Sequence, residues 1–426
     1  MERALVEKTV ERVGKEVKLQ GWVDTVRDHG KITFLDLRDR SGILQCVGSE
    51  LPKVTPESIV EIRGKVVKRP EKLVNKDILT GFVEVQIEEL EVLSRAEEPP
   101  IPINARDQGV SLTKRLNWRW IGLRDPKERR IFEVWTAFEK GMREYFLGEG
   151  YIQLYTPSFM STPSESGAEV FEVEYFDRKA YLAQSPQFYK QVGMASGFEK
   201  VFMVGPVFRA EPSFTTRHMT EFTGWDFELS YVNSHHDVMD VEEEMLVRAI
   251  EAVNQELSMN IEVPGRPFPR VTLSEAKKML KKAGVPGEKD DDISPEEERE
   301  LSRIIKKEKG HDFVFVIDWP VSARPFYHMR HEDDPALTKS FDMLYKGIEI
   351  TTGAQREHRV AVLEKQAKQK DMPLESLNDY FNFFRYGCPP HGGAGIGPGR
   401  IIMKLLGTRS VKEVTFLPRD VKRLTP

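Results

Sequence analysis

Between Glu16 and Ala96 the chain alternates polar and apolar residues with a period of two, in the runs EVKLQGWV, KITFLDLRD, GILQCVG, SIVEIRGKVV and GFVEVQIEELEVL. That period puts alternate side chains on opposite faces of a strand and does not fit a helix. Gly30, Ser41-Gly42 and the stretch KRPEKLVNK interrupt the runs with turn-forming residues. Five short strands in about 80 residues imply a small barrel.

The OB-fold is the commonest use of that strand count. The segment RAEEPPIPINARD that follows reads as a linker, because Glu97, Glu98, Pro99 and Pro100 break any period. With 426 residues the chain is long enough for two or three domains, each with its own core. We divide it into a barrel over residues 1–98, a linker or hinge over 99–125 and a large second domain over 126–426. The second domain opens with Pro126 at a helix start, and Ile131, Val134, Trp135, Phe138, Met142 and Phe146 follow at helical spacing. Gly148 and Gly150 end that helix, and an extended run reaches Pro157. Further on, Ser294, Pro295 and Glu297 form a capping box ahead of a second helix, after the solvated acidic loop Asp290 to Asp292.

Cys46 and Cys388 are the two cysteines and no CxxC pair occurs, which argues for a reducing cytoplasm and against zinc or a disulfide framework. The opening MERALVEKTVERVG lacks an apolar stretch and no run of 18 apolar residues exists, so neither a secretion signal nor a membrane span is expected. A net charge of −5 provides no general attraction for nucleic acid. Any such partner must meet a local patch.

The stretch FRAEPSFTTRHMTEFTGWDFE, Phe208 to Glu228, collects three cationic or histidine side chains and four carboxylates. In the strand before it Phe202, Val204 and Phe208 share one face, with Arg209 and Glu211 opposite. In the strand after it Thr223, Trp225, Phe227 and Leu229 share one face, and Phe222, Gly224, Asp226 and Glu228 the other. Arg217 and His218 fall in the connection. Such a hairpin is either an exposed sheet edge laced with ion pairs, or a pocket whose flat aromatic takes an adenine ring with phosphates at one side and an ammonium at the other.

Three further stretches carry chemistry. In PPHGGAGIGPGRIIMKLLG, Gly392, Gly393, Gly395, Gly397 and Gly399 precede an apolar helix starting near Arg400. Alternate glycines let something flat lie against the strand, or let the strand pack tightly against a helix; the pattern is neither GxxxxGK nor GxGxxG. YLAQSPQFYKQ supplies Gln184, Gln187 and Lys190, and SFDMLYKGIEITTGAQREH supplies Asp342, Glu349 and Arg356.

In this order the four stretches resemble the class II aminoacyl-tRNA synthetases with an N-terminal OB-fold, and within them the archaeal-type aspartate branch. The resemblance runs from the barrel through a motif 1 helix and strand ending at Pro157, motif 2 at FRAE…RHMTEF and motif 3 at GIGPGR, to the tail LPRDVKRLTP. It implies an α+β chain: the five-stranded barrel as anticodon-binding domain, and a catalytic domain on an antiparallel sheet flanked by helices, with an insertion near 265–312. It also implies ATP and L-aspartate as substrates, Mg2+, tRNA(Asp) and in some forms tRNA(Asn) as partners, and a homodimer about Pro157. A form charging both tRNAs requires an amidotransferase.

Carried over position by position, the resemblance makes Arg209 the ligand of the α-phosphate and the amino acid carboxylate, and Glu211 a contact of the adenine. Arg217 and His218 reach the terminal phosphates, and Phe222 and Arg400 sandwich the base. Arg209, Arg217 and Arg400 are thereby the catalytic cations. Ala210, Met219, Gly397, Pro398 and Gly399 complete the nucleotide site. Glu165, Gln187 and Asp226 hold the α-ammonium, Lys190 and Arg356 clamp the side-chain carboxylate, and Phe188, Tyr189 and Thr352 adjoin them. Glu349, Thr352 and Asp342 resemble the magnesium site; Asp342 and Glu349 face one way only if a bulge at Gly347 shifts the parity. In the barrel Phe34 and Gln45 match positions that stack on and read the anticodon, with Arg27 nearby, and KVVKRPEKLVNK is placed to follow phosphates.

The implied chemistry, in-line attack of a carboxylate on the α-phosphorus, needs positioning and charge neutralisation rather than a protein nucleophile. Two cations facing the side chain favour aspartate over asparagine, since a neutral amide leaves a buried charge unpaired. One departure stands out. The acid that precedes the motif 3 arginine is Gly399 here, which leaves Arg400 without its usual carboxylate neighbour. Asparagine ligation and a non-catalytic RNA-binding relative are the competing functions; free asparagine synthesis has no use for an anticodon reader.

Overall fold

The computed structural model describes residues 1–164, 170–285, 287 and 289–426, which divide into two units, Met1–Gly122 and Leu123–Pro426. In the first unit β1 (Glu16–Asp28), β2 (Thr33–Asp39), β3 (Gly42–Gly48), β4 (Ile59–Lys68) and β5 (Val83–Ser94) close into a barrel in the order β1-β2-β3-β5-β4. Period two is the reason. Val17, Leu19, Leu35, Leu37, Leu44, Cys46, Val60, Ile62, Val83 and Val85 all turn inward to one core, and closure leaves no unpaired edge.

The stretch after the barrel is more ordered than a plain linker. Ser111 accepts the Lys114 N–H to cap α1 (Leu112–Asn117), α2 (Arg119–Gly122) follows, and Ile101, Ala105 and Ile121 bury against one another. Three apolar side chains and a cap suffice to order what the Glu-Pro run concealed.

In the second unit α3 (Pro126–Gly148) starts at the proline, capped by the Asp125 side chain on the Lys127 N–H. The extended run after it contributes only two residues of ladder, β6 (Ile152–Gln153), parallel to β10. β7 (Phe159–Met160), β8 (Glu172–Tyr175) and β9 (Arg178–Leu182) form a small separate sheet. The chain continues through α4 (Gln187–Ala195), β10 (Lys200–Phe208), β11 (Glu221–Ser230), α5 (His235–Leu257), β12 (Arg270–Thr272), α6 (Leu273–Lys282) and α7 (Pro295–Lys309). It ends with β13 (Phe313–Ile317), β14 (Ser340–Tyr345), β15 (Glu349–Arg356), α8 (Val360–Gln369), α9 (Asn378–Arg385), β16 (His391–Ile396) and α10 (Pro398–Leu405).

The main sheet runs β12-β13-β14-β15-β16-β11-β10-β6, antiparallel except for its two outermost pairs. One face buries Trp225, Phe227, Phe315, Phe341 and Met343 against α3 and α5. The other face is left for chemistry. The expected insertion does not stand apart: β12 extends the sheet, while Leu273, Leu280, Leu301 and Ile305 pack on Val314, Val316 and Leu344. Ser294 and Glu297 form the capping box of α7, with Pro295 in its first turn. Among the described residues no helix is long and apolar enough to cross a membrane.

Candidate active site

The hairpin β10/β11 pairs Val207 with Phe222, Gly205 with Gly224 and Met203 with Asp226. On β11 the parity holds, with Trp225 and Phe227 in the core and Phe222 and Asp226 on the face that borders a cavity of about 880 Å³. On β10 it does not carry as far as expected. The strand stops at Phe208, and Arg209 and Glu211 reach the cavity from the loop, although the Arg209 N–H still bonds the Thr220 carbonyl.

The glycine strand β16 lies beside β11, pairing Gly395 with Asp226 and Gly393 with Glu228. A Cβ at Gly393 would come within 2.2 Å of the Glu228 carboxylate, and one at Gly392 within 2.8 Å of Val238 and the Ala354 carbonyl. Those two glycines make room for the protein itself. Gly395, Gly397 and Gly399 border the cavity, and α10 begins at Pro398, two residues before Arg400.

At one end of the cavity four charged side chains form a buried cluster. Lys190, 1% exposed, places Nζ 2.8 Å from Asp226 Oδ1 and 3.4 Å from Glu228 Oε2, and donates to the Ala394 carbonyl. Arg356 donates Nε to Glu228 Oε1 at 3.1 Å, Nη1 to His328 Nε2 at 2.9 Å and Nη2 to the Gly393 carbonyl at 2.8 Å. Burial drives the Glu228 carboxyl upward, but Arg356 and Lys190 outweigh it and hold the group below its ordinary value. Burial, then Arg356 and Arg324, push His328 well below the usual imidazole value. It is therefore neutral and able to accept from Arg356.

Gln187, also buried at the cavity wall, has a side-chain Nε2 with no hydrogen-bond partner among the described residues. Phe188 and Tyr189 are elsewhere: Phe188 lies against Tyr380 in a separate apolar cluster, and Tyr189 donates to the Phe159 carbonyl. Helical spacing turns them off the face that carries Gln187 and Lys190. Glu165 falls outside the described residues.

At the other end the Arg209 guanidinium lies 5.7 Å from the Phe222 ring centre and 3.6 Å from Glu211 Oε1. His218 Nδ1 lies within 3.0 Å of the Ser213 and Thr215 hydroxyls; burial and the nearby Arg400 and Arg217 lower its pKa. Met219 also lines the cavity, whereas Ala210 and Pro398 are only neighbours of lining residues. Arg217 Nη1 donates to both oxygens of Glu298, at 2.8 and 2.6 Å. Arg400 Nη1 donates to the Glu349 carbonyl at 2.8 Å and to its Oε1 at 3.2 Å.

Arg400 is thus oriented by Glu349, not by a residue at 399. A Cβ on Gly399 would meet only Trp135, at 3.8 Å. Gly399→Glu is therefore expected to leave activity equal or improved; a tenfold loss in steady-state rate would show that the glycine backbone is needed.

Asp342 and Thr352 face each other across β14/β15, and the Thr352 hydroxyl donates to Asp342 Oδ1 at 2.7 Å. Glu349 joins that face because the register shifts: Met343 pairs with Thr351 and Leu344 with Glu349, leaving Ile350 as the extra residue and sending it into the core. The bulge is at Ile350, not at Gly347, which takes φ +79° in the preceding turn. Arg324 Nη2, stacked over Trp319, lies 2.7 Å from Asp342 Oδ2. Burial pushes the Asp342 carboxyl up to about 6, against Arg324 and with help from Glu349.

Glu349 and Thr352 line the cavity, while Asp342 lies behind them. An all-oxygen set of this kind suits magnesium. Among the described residues no group of three histidines, cysteines or acids could hold a metal ion.

In the barrel Arg27 of β1 pairs with Phe34 of β2, and Asp36 of β2 with Gln45 of β3. Leu35 and Leu37 take the core positions, so Phe34 is on the outer face, partly exposed, with its ring edge-on to His29 at 5.6 Å. Arg27 contacts Asp36 at 3.0 Å, and the Gln45 amide donates to Glu84 at 2.9 Å.

A family profile described as tRNA synthetases class II (D, K and N) matches residues 111–421, and one for the OB-fold nucleic acid binding domain matches residues 17–93. The chain belongs to the class II tRNA synthetases with an OB-fold domain. It is 39% identical to an aspartate–tRNA(Asp/Asn) ligase of Aeropyrum pernix, over 97% of this chain and 96% of that protein. To an aspartate–tRNA(Asp) ligase of Pyrococcus furiosus it is 38% identical, over 98% of both. Among solved structures it matches the Pyrococcus horikoshii asparaginyl-tRNA synthetase complexed with asparaginyl-adenylate over the whole of both chains, with TM-score 0.90 and 31% identity. The Entamoeba histolytica aspartyl-tRNA synthetase matches with TM-score 0.84 and 32% identity, over 100% of this chain and 93% of that one.

Proposed function

We propose that the chain is an aspartate–tRNA ligase, activating L-aspartate with ATP and transferring it to the 3′ end of tRNA(Asp). The observation that carries this is the buried Lys190–Asp226–Glu228–Arg356 cluster, closing a cavity whose far end holds Arg209, Arg217 and Arg400. Asp226 and Glu228 already offset the two cations, so the count of cations alone does not select the substrate. The bound ammonium adds a third positive charge at this end. An aspartate side chain supplies the third negative one and an asparagine amide does not.

In this reading Asp226 and Gln187 hold the α-ammonium, and Lys190 and Arg356 the side-chain carboxylate. Phe222 and Arg400 flank the adenine, with Glu211 at its edge. Arg209 holds the attacking carboxylate and the α-phosphate in line, and Arg217 and His218 receive the terminal phosphates. Glu349, Thr352 and, through Thr352, Asp342 would hold magnesium, which would supply positive charge for the leaving pyrophosphate. The proposal includes a cytoplasmic homodimer joined about motif 1, with residues 1–98 as the anticodon domain and 126–426 as the catalytic one.

Pyrophosphate exchange with ATP and magnesium, without tRNA, tests the reading: aspartate drives exchange and asparagine does not. Exchange with asparagine alone reverses the specificity, and exchange with neither leaves an RNA-binding relative. Charging of tRNA(Asp) and tRNA(Asn) transcripts then decides whether the enzyme serves one tRNA or needs an amidotransferase. On the barrel, Phe34→Ala should lower charging of tRNA(Asp) roughly tenfold or more, as the loss of one stacked base predicts, with exchange unchanged. Unaltered charging would remove Phe34 from the anticodon contact.

A further inference from the structure

Helix α7 belongs to the insertion, yet its first turn reaches Arg217, which lines the cavity. Leu301 and Ile305 anchor the helix in the apolar cluster beneath the sheet edge, and the Ser294–Glu297 capping box fixes its start. Glu297 turns to Lys277. Glu298, with a side chain 4% exposed, turns the other way and grips Arg217 Nη1 with both oxygens.

Two features distinguish this contact from an ordinary ion pair. Arg217 lies in a connection with no regular secondary structure, so its guanidinium has no backbone ladder to orient it. Glu298 Oε2 also accepts the Glu349 N–H, at 3.3 Å. Glu349 in turn holds Arg400 through its carbonyl and carboxylate. One carboxylate therefore links two of the three arginines assigned to the nucleotide, Arg217 directly and Arg400 through Glu349. Glu298 engages Nη1 alone, and no described residue bonds Arg217 Nε or Nη2, which leaves that edge available to phosphate oxygens. A buried ion pair contributes little net stability because desolvation opposes it. What Glu298 supplies is place.

We infer that Glu298 is a positioning residue for ATP: it fixes Arg217, and through the Glu349 N–H the start of β15, so that the insertion helix is a working part of the nucleotide site. This rests on the nucleotide reading of the cavity. An incoming triphosphate meets Arg217 first, with Glu298 behind it, so the same carboxylate that orients the cation is shielded from the phosphates by it.

The test compares wild type, Glu298→Ala, Arg217→Ala and the double variant. ATP–magnesium affinity is read by calorimetry, and the ATP and aspartate KM values by pyrophosphate exchange. Glu298→Ala should weaken ATP by about tenfold, leave the aspartate KM within about twofold, and add less than about twofold in the Arg217→Ala background, as for two groups acting as one unit. Unchanged ATP affinity, equal losses for ATP and aspartate, or full additivity with Arg217→Ala each overturns the inference. If Glu298→Ala does not fold, Glu298→Gln keeps the shape and one acceptor, and its ATP-to-aspartate ratio is read instead. A wild type that binds ATP without aspartate-driven exchange defeats the proposed function but still tests Glu298 by calorimetry. A wild type that does not bind ATP defeats both.

Discussion

Replacing Lys190 by leucine is expected to reduce aspartate-dependent pyrophosphate exchange by about 10²–10⁴-fold while ATP affinity stays within a few-fold of wild type. The magnitude follows from the geometry. Lys190 is buried against Asp226 and Glu228, and breaking a buried pair from one side costs about 3–5 kcal/mol, with each 1.4 kcal/mol worth tenfold. Leucine fills most of the volume but leaves two carboxylates sharing one arginine. Kinetics in aspartate, calorimetry in ATP and a melting curve together separate a lost clamp from a lost fold. Wild-type aspartate kinetics would show that Lys190 is only a structural ion-pair partner.

The second large effect is on stability. Glu228→Gln keeps shape and volume but removes the fully buried charge that Lys190 and Arg356 share. Asp226 alone then faces two cations. The expected loss is about 3–5 kcal/mol, which for a domain of this size lowers Tm by on the order of 10 °C. Scanning calorimetry checks it, and a shift below about 2 °C would mean that the network adds nothing net to the folded state. Saturating aspartate should recover little of the loss, because Glu228 lies behind the cavity wall rather than in it.

These two residues differ in how plainly the sequence announced them. Lys190 stands three residues after Gln187 in one polar stretch, and its role comes from the family resemblance of that stretch. Glu228 was placed on the correct face of β11 by period-two parity but had no role, because its partners Lys190 and Arg356 are 38 and 128 residues away. His328 and Glu298 gave no local signal at all. Each contacts an arginine brought to it by the fold, and a histidine after a tyrosine or a glutamate in a first helical turn has an ordinary structural explanation wherever it occurs.

The misplacements have the same cause. Glu349 and Asp342 were seen to need a bulge, yet glycine made Gly347 the natural choice when the extra residue is Ile350. Burying that isoleucine in the core outweighs the backbone preference. Phe188 and Tyr189 travel with Lys190 in sequence and leave it in space. For Gly392 and Gly393, of the two readings left open the structure takes tight packing, since a Cβ there would meet Val238 and Glu228.

Local rules sufficed wherever one strand or helix decides the outcome by itself. The five barrel strands, the Pro126 helix, the Ser294 cap and the two faces of β11 all follow from side-chain period and capping chemistry, which act over a few residues. The order of the sheet, the union of four distant stretches around one cavity and the charge balance inside it came only with the tertiary structure. Pairing between strands far apart in sequence, and desolvation of charges that meet only after folding, are properties of the packed chain and leave no periodic trace along it.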